Sequence, residues 1–170
     1  VHGRRIVAHL PSWEGWLRVD AADGHLARDR GTAMAVTVAD CVPVFIAHAS
    51  GATALLHAGW RGTAAGILES AVAALRDHGV PARELLVHLG PAICGHCYEV
   101  SPDVYGQLTS RSASAPTRVD LRAVLADRAR AVGVGRITTS PSCTRCDNAR
   151  FFSHRAGDHG RQLGVLVAED

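Results

Sequence analysis

Two helical stretches set among many short apolar runs constrain this chain most. Residues 63–78 carry Ile67, Leu68, Ala71, Val72 and Leu75 on one helical face, and the stretch stops at Gly79 with Pro81 beyond. A second stretch is capped by Asp120 and runs to about Val132, with Leu121, Val124 and Leu125 inward and Gly133 behind. Ser101-Pro102 opens a shorter helix through an N-cap and a proline in the first turn. Around these lie short β-rich runs at 4–10, 16–19, 34–38, 42–47, 52–57, 85–89, 136–139 and 162–168, with a turn at 21–24 and loops at 109–116 and 140–150. Strands and helices mix without strict alternation, and no Gly-rich phosphate fingerprint or internal repeat is present. The order predicts a layered α/β (α+β) fold with mixed sheets rather than a doubly wound one.

At 170 residues the chain is expected to form a single domain, 1–170, with a core that needs no staples. The first residue is Val1 rather than Met, which reads as a chain trimmed at its N-terminus. No run approaches 18 apolar residues, so no membrane partner is expected. A net charge of +2, scattered along the chain, gives no nucleic-acid footprint. There is no basic-then-apolar signal segment, and five cysteines cannot all pair, so the expectation is a cytoplasmic protein with mostly reduced thiols. All 18 basic residues are Arg. The more useful oddity is ten His beside the five Cys, since both residue types bind metals and do chemistry near neutral pH.

Five segments can carry chemistry. In Ala39-Asp40-Cys41-Val42-Pro43-Val44, a Cys sits where one strand run breaks into the next. Taken alone it reads as a small buried hydrophobe in preference to a thiolate facing a cavity. In His57-Ala58-Gly59-Trp60-Arg61-Gly62, a His ends a strand, two Gly permit close backbone approach, and Arg61 offers a fixed charge beside a helix start. A packing turn with a surface Arg explains that segment equally well. His2-Gly3 at the start is, on spacing alone, an ordinary solvated His. Finally, Cys94/Cys97 and Cys143/Cys146 form two C-x-x-C pairs, a zinc-ribbon spacing, but 46 residues separate them. Loop thiols, one of them lining a pocket, are expected there in preference to a four-cysteine structural zinc, with a redox dithiol as a further alternative. The other His show no ligand spacing of the H-E-x-x-H kind, and most are read as surface or satisfied core residues.

Taken together, these segments resemble the YfiH-like family, also described as the laccase-domain or polyphenol oxidase family. Val1-His2-Gly3, the Ala-Asp-Cys-Val-Pro-Val string at 39–44, the His-Ala-Gly-Trp-Arg-Gly string at 57–62, Gly90-Pro91 with Cys97-Tyr98-Glu99-Val100, and Phe151-Phe152-Ser153-His154-Arg155 with Gly160-Arg161-Gln162 follow the family order across the whole chain. The chain departs from the pattern in two places: it starts inside the first hallmark without its Gln, and His154 stands where the family has Tyr. The resemblance implies a four-layer α-β-β-α sandwich of mixed sheets. It also implies a metal site of His2, Cys41 and His57, holding zinc, with copper as the alternative; these three are the expected catalytic residues. One thiolate and two imidazoles suit zinc, and three protein ligands leave a fourth position open. Arg61, Cys97 and Glu99 are the expected substrate or phosphate contacts. The activity implied is phosphorolysis of adenosine, inosine, guanosine and methylthioadenosine, with adenosine deamination. Two alternatives are carried: copper-dependent polyphenol oxidation, and a Cys-His amidase or deamidase such as a peptidoglycan-precursor editing enzyme. The partners implied are purine nucleosides and phosphate.

Overall fold

The computed structural model describes residues 3–10 and 15–169. In chain order the elements are β1 (Ile6–His9), β2 (Gly24–Ala27), β3 (Met34–Val38), β4 (Val42–Ala47), β5 (Thr53–Ala58), α1 (Trp60–Ala64), α2 (Ile67–Asp77), β6 (Leu86–Leu89), β7 (Glu99–Val100), α3 (Pro102–Thr109), β8 (Thr117–Arg118), α4 (Leu121–Ala131), β9 (Arg136–Thr139) and β10 (Gln162–Leu166). Single 3-10 turns occur at Ala82–Glu84 and His154–Ala156.

Six strands form one sheet in the order β1-β2-β5-β4-β6-β9. Its two outer pairs, β1 with β2 and β6 with β9, are parallel, and the inner pairs are antiparallel. A separate antiparallel ribbon joins β10 to β3, and a short one joins β7 to β8. Side-chain parity then sorts the residues into layers. Val42, Val44 and Ile46 of β4, with Ala54, Leu56 and Ala58 of β5, enter the large core that includes Ile67, Leu68 and Leu75 of α2 and Leu121 and Leu125 of α4. Each fully buried Leu or Ile there contributes ~1.5–3 kcal/mol. Leu55 of β5 points the other way, into a smaller core with Ala27, Met34, Val36 and Val38, against which Cys41, Phe45 and Leu166 pack. Helices thus cover one face of the sheet and the β3–β10 ribbon lies on the other, a layered mixed α/β fold as expected.

The helix caps behave as their residues predict. The Ser101 hydroxyl accepts from the Val104 amide at 3.4 Å and the Asp120 carboxylate from the Arg122 amide at 2.9 Å. Three local expectations change. The single helix expected over 63–78 is two, because Gly66 adopts φ +80° and turns the chain between α1 and α2. The run at 16–19 is irregular; Trp16 and Leu17 are exposed, so nothing packs on them to hold a strand. Gly24, read as the end of a turn, instead opens β2, because β1 and β5 flank it with backbone partners. No helix among the described residues is long and apolar enough to cross a membrane.

Candidate active site

The register of β4 against β5 sets Pro43 opposite His57. Residues 41, 43, 45, 55 and 57 therefore share the face turned away from the helices, and Cys41 and His57 are diagonal neighbours on it. Cys41 sits at the bend just before β4, after Asp40 in the left-handed region at φ 76°. Cys41 and His57 line one cavity of about 810 Å³, shared with His25, His154 and Arg161. Cys41 and His154 also line a neighbouring cavity of about 260 Å³, together with Trp60, Arg61, Tyr98 and Arg155. The thiol therefore stands between two hollows. Burial pushes it up to about 11, helped by the adjacent Asp40 carboxylate and opposed by the Arg161 guanidinium.

The third expected ligand, His2, lies outside the described residues, but the residue after it is held. The Gly3 amide donates to Asp23 Oδ2 at 2.8 Å, while the Asp23 carbonyl accepts from the His57 amide at 2.7 Å. A Cβ on Gly62 would come within 2.7 Å of the Gly3 carbonyl oxygen. The second glycine of the His-Ala-Gly-Trp-Arg-Gly string thus exists to let the N-terminal segment lie against the turn that follows His57. Chain packing, rather than helix geometry, explains its spacing.

Arg61 lies over the Trp60 ring, 4.3 Å from its centroid. Because α1 has only five residues, its dipole is small and the cation itself is the anion-attracting feature of that corner. The other expected substrate contacts fall elsewhere. Glu99 is exposed in β7, and its carbonyl accepts from Arg155 at 3.0 Å. Cys97 lines neither of the two cavities and instead meets Cys146, with their sulfurs 3.4 Å apart.

Asp40 lines the smaller cavity, but not as a free carboxylate. It is buried, its Oδ1 accepts from the Thr144 hydroxyl at 2.6 Å, and its Oδ2 accepts from the Arg155 amide at 2.8 Å. It ties the β3–β4 corner to two C-terminal loops that wall the site.

The two C-x-x-C pairs meet, contrary to the loop-thiol expectation. The sulfurs of Cys94, Cys97, Cys143 and Cys146 all lie within 4.8 Å of one another. Parallel pairing of β6 with β9 brings the loops that follow those strands side by side, an adjacency that a count of 46 intervening residues conceals. All four are free thiols. Burial opposes ionisation of Cys143, but the Cys146 and Cys94 amides aimed at its sulfur bring it down to about 7.

Sequence reasoning passed over several residues that the cavities bring in. Arg161 and Arg155 come from the C-terminal hallmark strings and supply cations on either side of Cys41. His9 and His25 stack with their centroids 5.1 Å apart and share a 2.9 Å hydrogen bond at the wall of the larger cavity. The Gly-Arg-Gln string was the available signal for Arg161; nothing in the spacing signals the His9–His25 pair.

A family model described as multi-copper polyphenol oxidoreductase laccase matches residues 1–169. A purine nucleoside phosphorylase of Pseudomonas aeruginosa is 37% identical, covering 98% of this chain and 71% of that protein. One from Streptomyces coelicolor is 34% identical, covering 91% of this chain and 66% of that protein. Among solved structures, YlmD from Geobacillus stearothermophilus superposes with a TM-score of 0.88 at 32% identity, over 100% of this chain and 72% of that one. Bacillus licheniformis YfiH gives 0.88 at 28% identity, over 99% and 72%. The chain spans about two thirds to three quarters of the length of these relatives. With the family model matched over nearly the whole chain and the layered fold shared with YfiH and YlmD, the chain belongs to the multi-copper polyphenol oxidoreductase laccase family.

Proposed function

We propose that this protein is a zinc-dependent purine nucleoside enzyme that cleaves adenosine, inosine, guanosine and methylthioadenosine with phosphate and also deaminates adenosine. The observation that carries this reading is Cys41 and His57 on one face of β4–β5 at the wall of an 810 Å³ cavity, with Gly3 clamped beside the same turn. His2 completes the set in this reading. A thiolate with imidazole nitrogens is a borderline-soft donor set that fits zinc. Bound there, zinc supplies Lewis-acid polarisation and a lowered water pKa of ~7.

The chain's own residues do the rest. Arg161 on the larger cavity, with Arg61 and Arg155 on the smaller, offer guanidinium charge for a phosphate. In phosphorolysis a phosphate oxygen bonds to the sugar anomeric carbon while the glycosidic C–N bond breaks, and the departing purine nitrogen takes up a proton. The cavity volume accommodates a nucleoside, and the stacked His9–His25 pair gives it an aromatic wall. The activity is placed in the cytoplasm, where phosphate is present and thiols stay reduced.

The family description favours a second reading, copper-dependent phenol oxidation. Copper would also bind this donor set by the usual affinity order. The amidase reading is weaker, because a thiol pushed up to about 11 is neutral at pH 7 and a poor nucleophile. One experiment separates the purine nucleoside reading from the other two. Metal-assayed protein is incubated with adenosine and phosphate, and the products are separated by chromatography. Adenine with ribose 1-phosphate supports phosphorolysis, and inosine supports deamination. His2→Ala, Cys41→Ala and His57→Ala should each lower turnover at least ~100-fold, or ~2.7 kcal/mol in barrier. Unchanged turnover in the three variants would overturn the assignment.

A further inference from the structure

We propose that Cys94, Cys97, Cys143 and Cys146 hold one structural zinc ion, separate from the Cys41–His57 site, that pins the loop after β6 to the loop after β9. The proposal does not depend on the purine nucleoside reading. Four sulfurs tetrahedral about zinc at ~2.3 Å would stand ~3.8 Å apart. Here all four lie within 4.8 Å of one another, and Cys97 and Cys146 stand 3.4 Å apart, far outside a disulfide bond. Binding requires only small movements of the sulfurs.

The surrounding backbone is arranged for a sulfur-bound cation. The Cys94 amide donates to Cys143 Sγ at 3.2 Å and the Cys146 amide at 3.4 Å. Such N–H groups partly offset the charge of −2 that Zn²⁺ with four thiolates carries. Each C-x-x-C closes its own turn: the Cys97 amide donates to the Cys94 carbonyl at 3.0 Å, and the Asp147 amide to the Cys143 carbonyl at 3.0 Å. The two turns are joined by the Ala92–Cys143 bridge and by the Thr144 amide to the Ala92 carbonyl at 3.2 Å. Binding converts four thiols and Zn²⁺ into a four-coordinate thiolate complex with release of up to four protons, so no oxidant or reductant is required. With four protein sulfurs no open position remains, which marks a structural ion rather than a catalytic one. Cys146 is exposed, which gives the ion an entry path.

The joint matters to the cavities. Thr144, next to Cys143, donates to Asp40, the residue before Cys41, and the Ile93 amide donates to the Asp40 carbonyl at 3.1 Å. Ile93 and Tyr98, on either side of the first C-x-x-C pair, line the smaller cavity. The ion therefore fixes a wall of the site from outside it.

The test compares the wild-type protein with Cys146→Ser, which alters an exposed position, and with Cys41→Ala, all purified under reducing conditions. Metal analysis should show that Cys146→Ser lowers zinc by one equivalent and that Cys41→Ala leaves this equivalent in place. Cobalt-substituted Cys41→Ala should show a thiolate charge-transfer band that is lost when Cys146→Ser is added. Chelator should lower the Cys41→Ala Tm, with zinc restoring it, and should not shift the Tm of the Cys41→Ala/Cys146→Ser double variant. Zinc that is lost with Cys41 and unaffected by Cys146→Ser would overturn the proposal. So would four free thiols in zinc-replete protein, or recovery of Cys97–Cys146 as a disulfide under those conditions.

Discussion

Replacing Asp40 tests how the wall behind Cys41 is held. Its carboxylate accepts two short bonds inside the protein, from the Thr144 hydroxyl at 2.6 Å and the Arg155 amide at 2.8 Å. Charge-assisted bonds of this kind contribute ~1.5–3 kcal/mol each. Asp40→Ala removes both and leaves a buried hydroxyl and an amide without their acceptor. It also sets a Cβ without a polar group at φ 76°, a region costing ~1–2 kcal/mol for ordinary residues. The expected loss is ~4–8 kcal/mol, a large share of a typical domain stability of ~5–15 kcal/mol. Asp40→Asn should behave differently. Its carbonyl oxygen can still accept from the Arg155 amide, its amide can donate to the Thr144 hydroxyl oxygen, and Asn tolerates positive φ well. Only the charge assistance goes, ~1–2 kcal/mol. In urea, with a slope of ~2 kcal/mol/M, the midpoint should fall by ~2–4 M for Asp40→Ala and by ~0.5–1 M for Asp40→Asn, with unchanged slope. The Asn variant should also lower the pKa of the metal-free Cys41 thiol from about 11, since the Asp40 charge raises it. Equal losses in the two variants, or a loss under ~1 kcal/mol for Asp40→Ala, would refute the reasoning.

Burial holds His25 below the ordinary histidine value of 6.5, with the His9 charge adding to it, and burial does the same for His9. The unfolded chain then binds more protons than the folded one just below pH 6.5, so stability should fall as pH drops through that window; a melting series from about pH 7 to about 5 should show a shallower fall in His25→Gln, and an identical slope would refute it. Gly135→Ala would place a Cβ 1.9 Å from the Arg83 carbonyl oxygen, so it should cost at least ~3 kcal/mol in chemical denaturation, and a loss within ~0.5 kcal/mol would show that the turn before β9 relaxes freely.

Much of this protein is legible in its sequence because the information is local. Helical spacing gave α2 and α4, Ser101 and Asp120 marked their helix starts, and the hallmark strings led to Cys41, His57 and the family. Local rules failed where a partner strand or a backbone conformation decides: Gly66 splits the long helix, and β2 exists because β1 and β5 flank it. The largest change concerns the cysteines. Spacing alone set the two C-x-x-C pairs aside as loop thiols, since 46 intervening residues say nothing about distance in space. Side-by-side pairing of β6 and β9 closes that gap and brings four sulfurs together. In the same way the sequence named Cys41 and His57, but strand register set them on one face, and the folding of the C-terminal strings brought Arg161 and His154 to the same cavity. Residue types and short-range periodicity are carried by neighbouring residues and can be read along the chain. Metal sites and cavity walls depend on which loops end up adjacent, and sheet topology alone decides that.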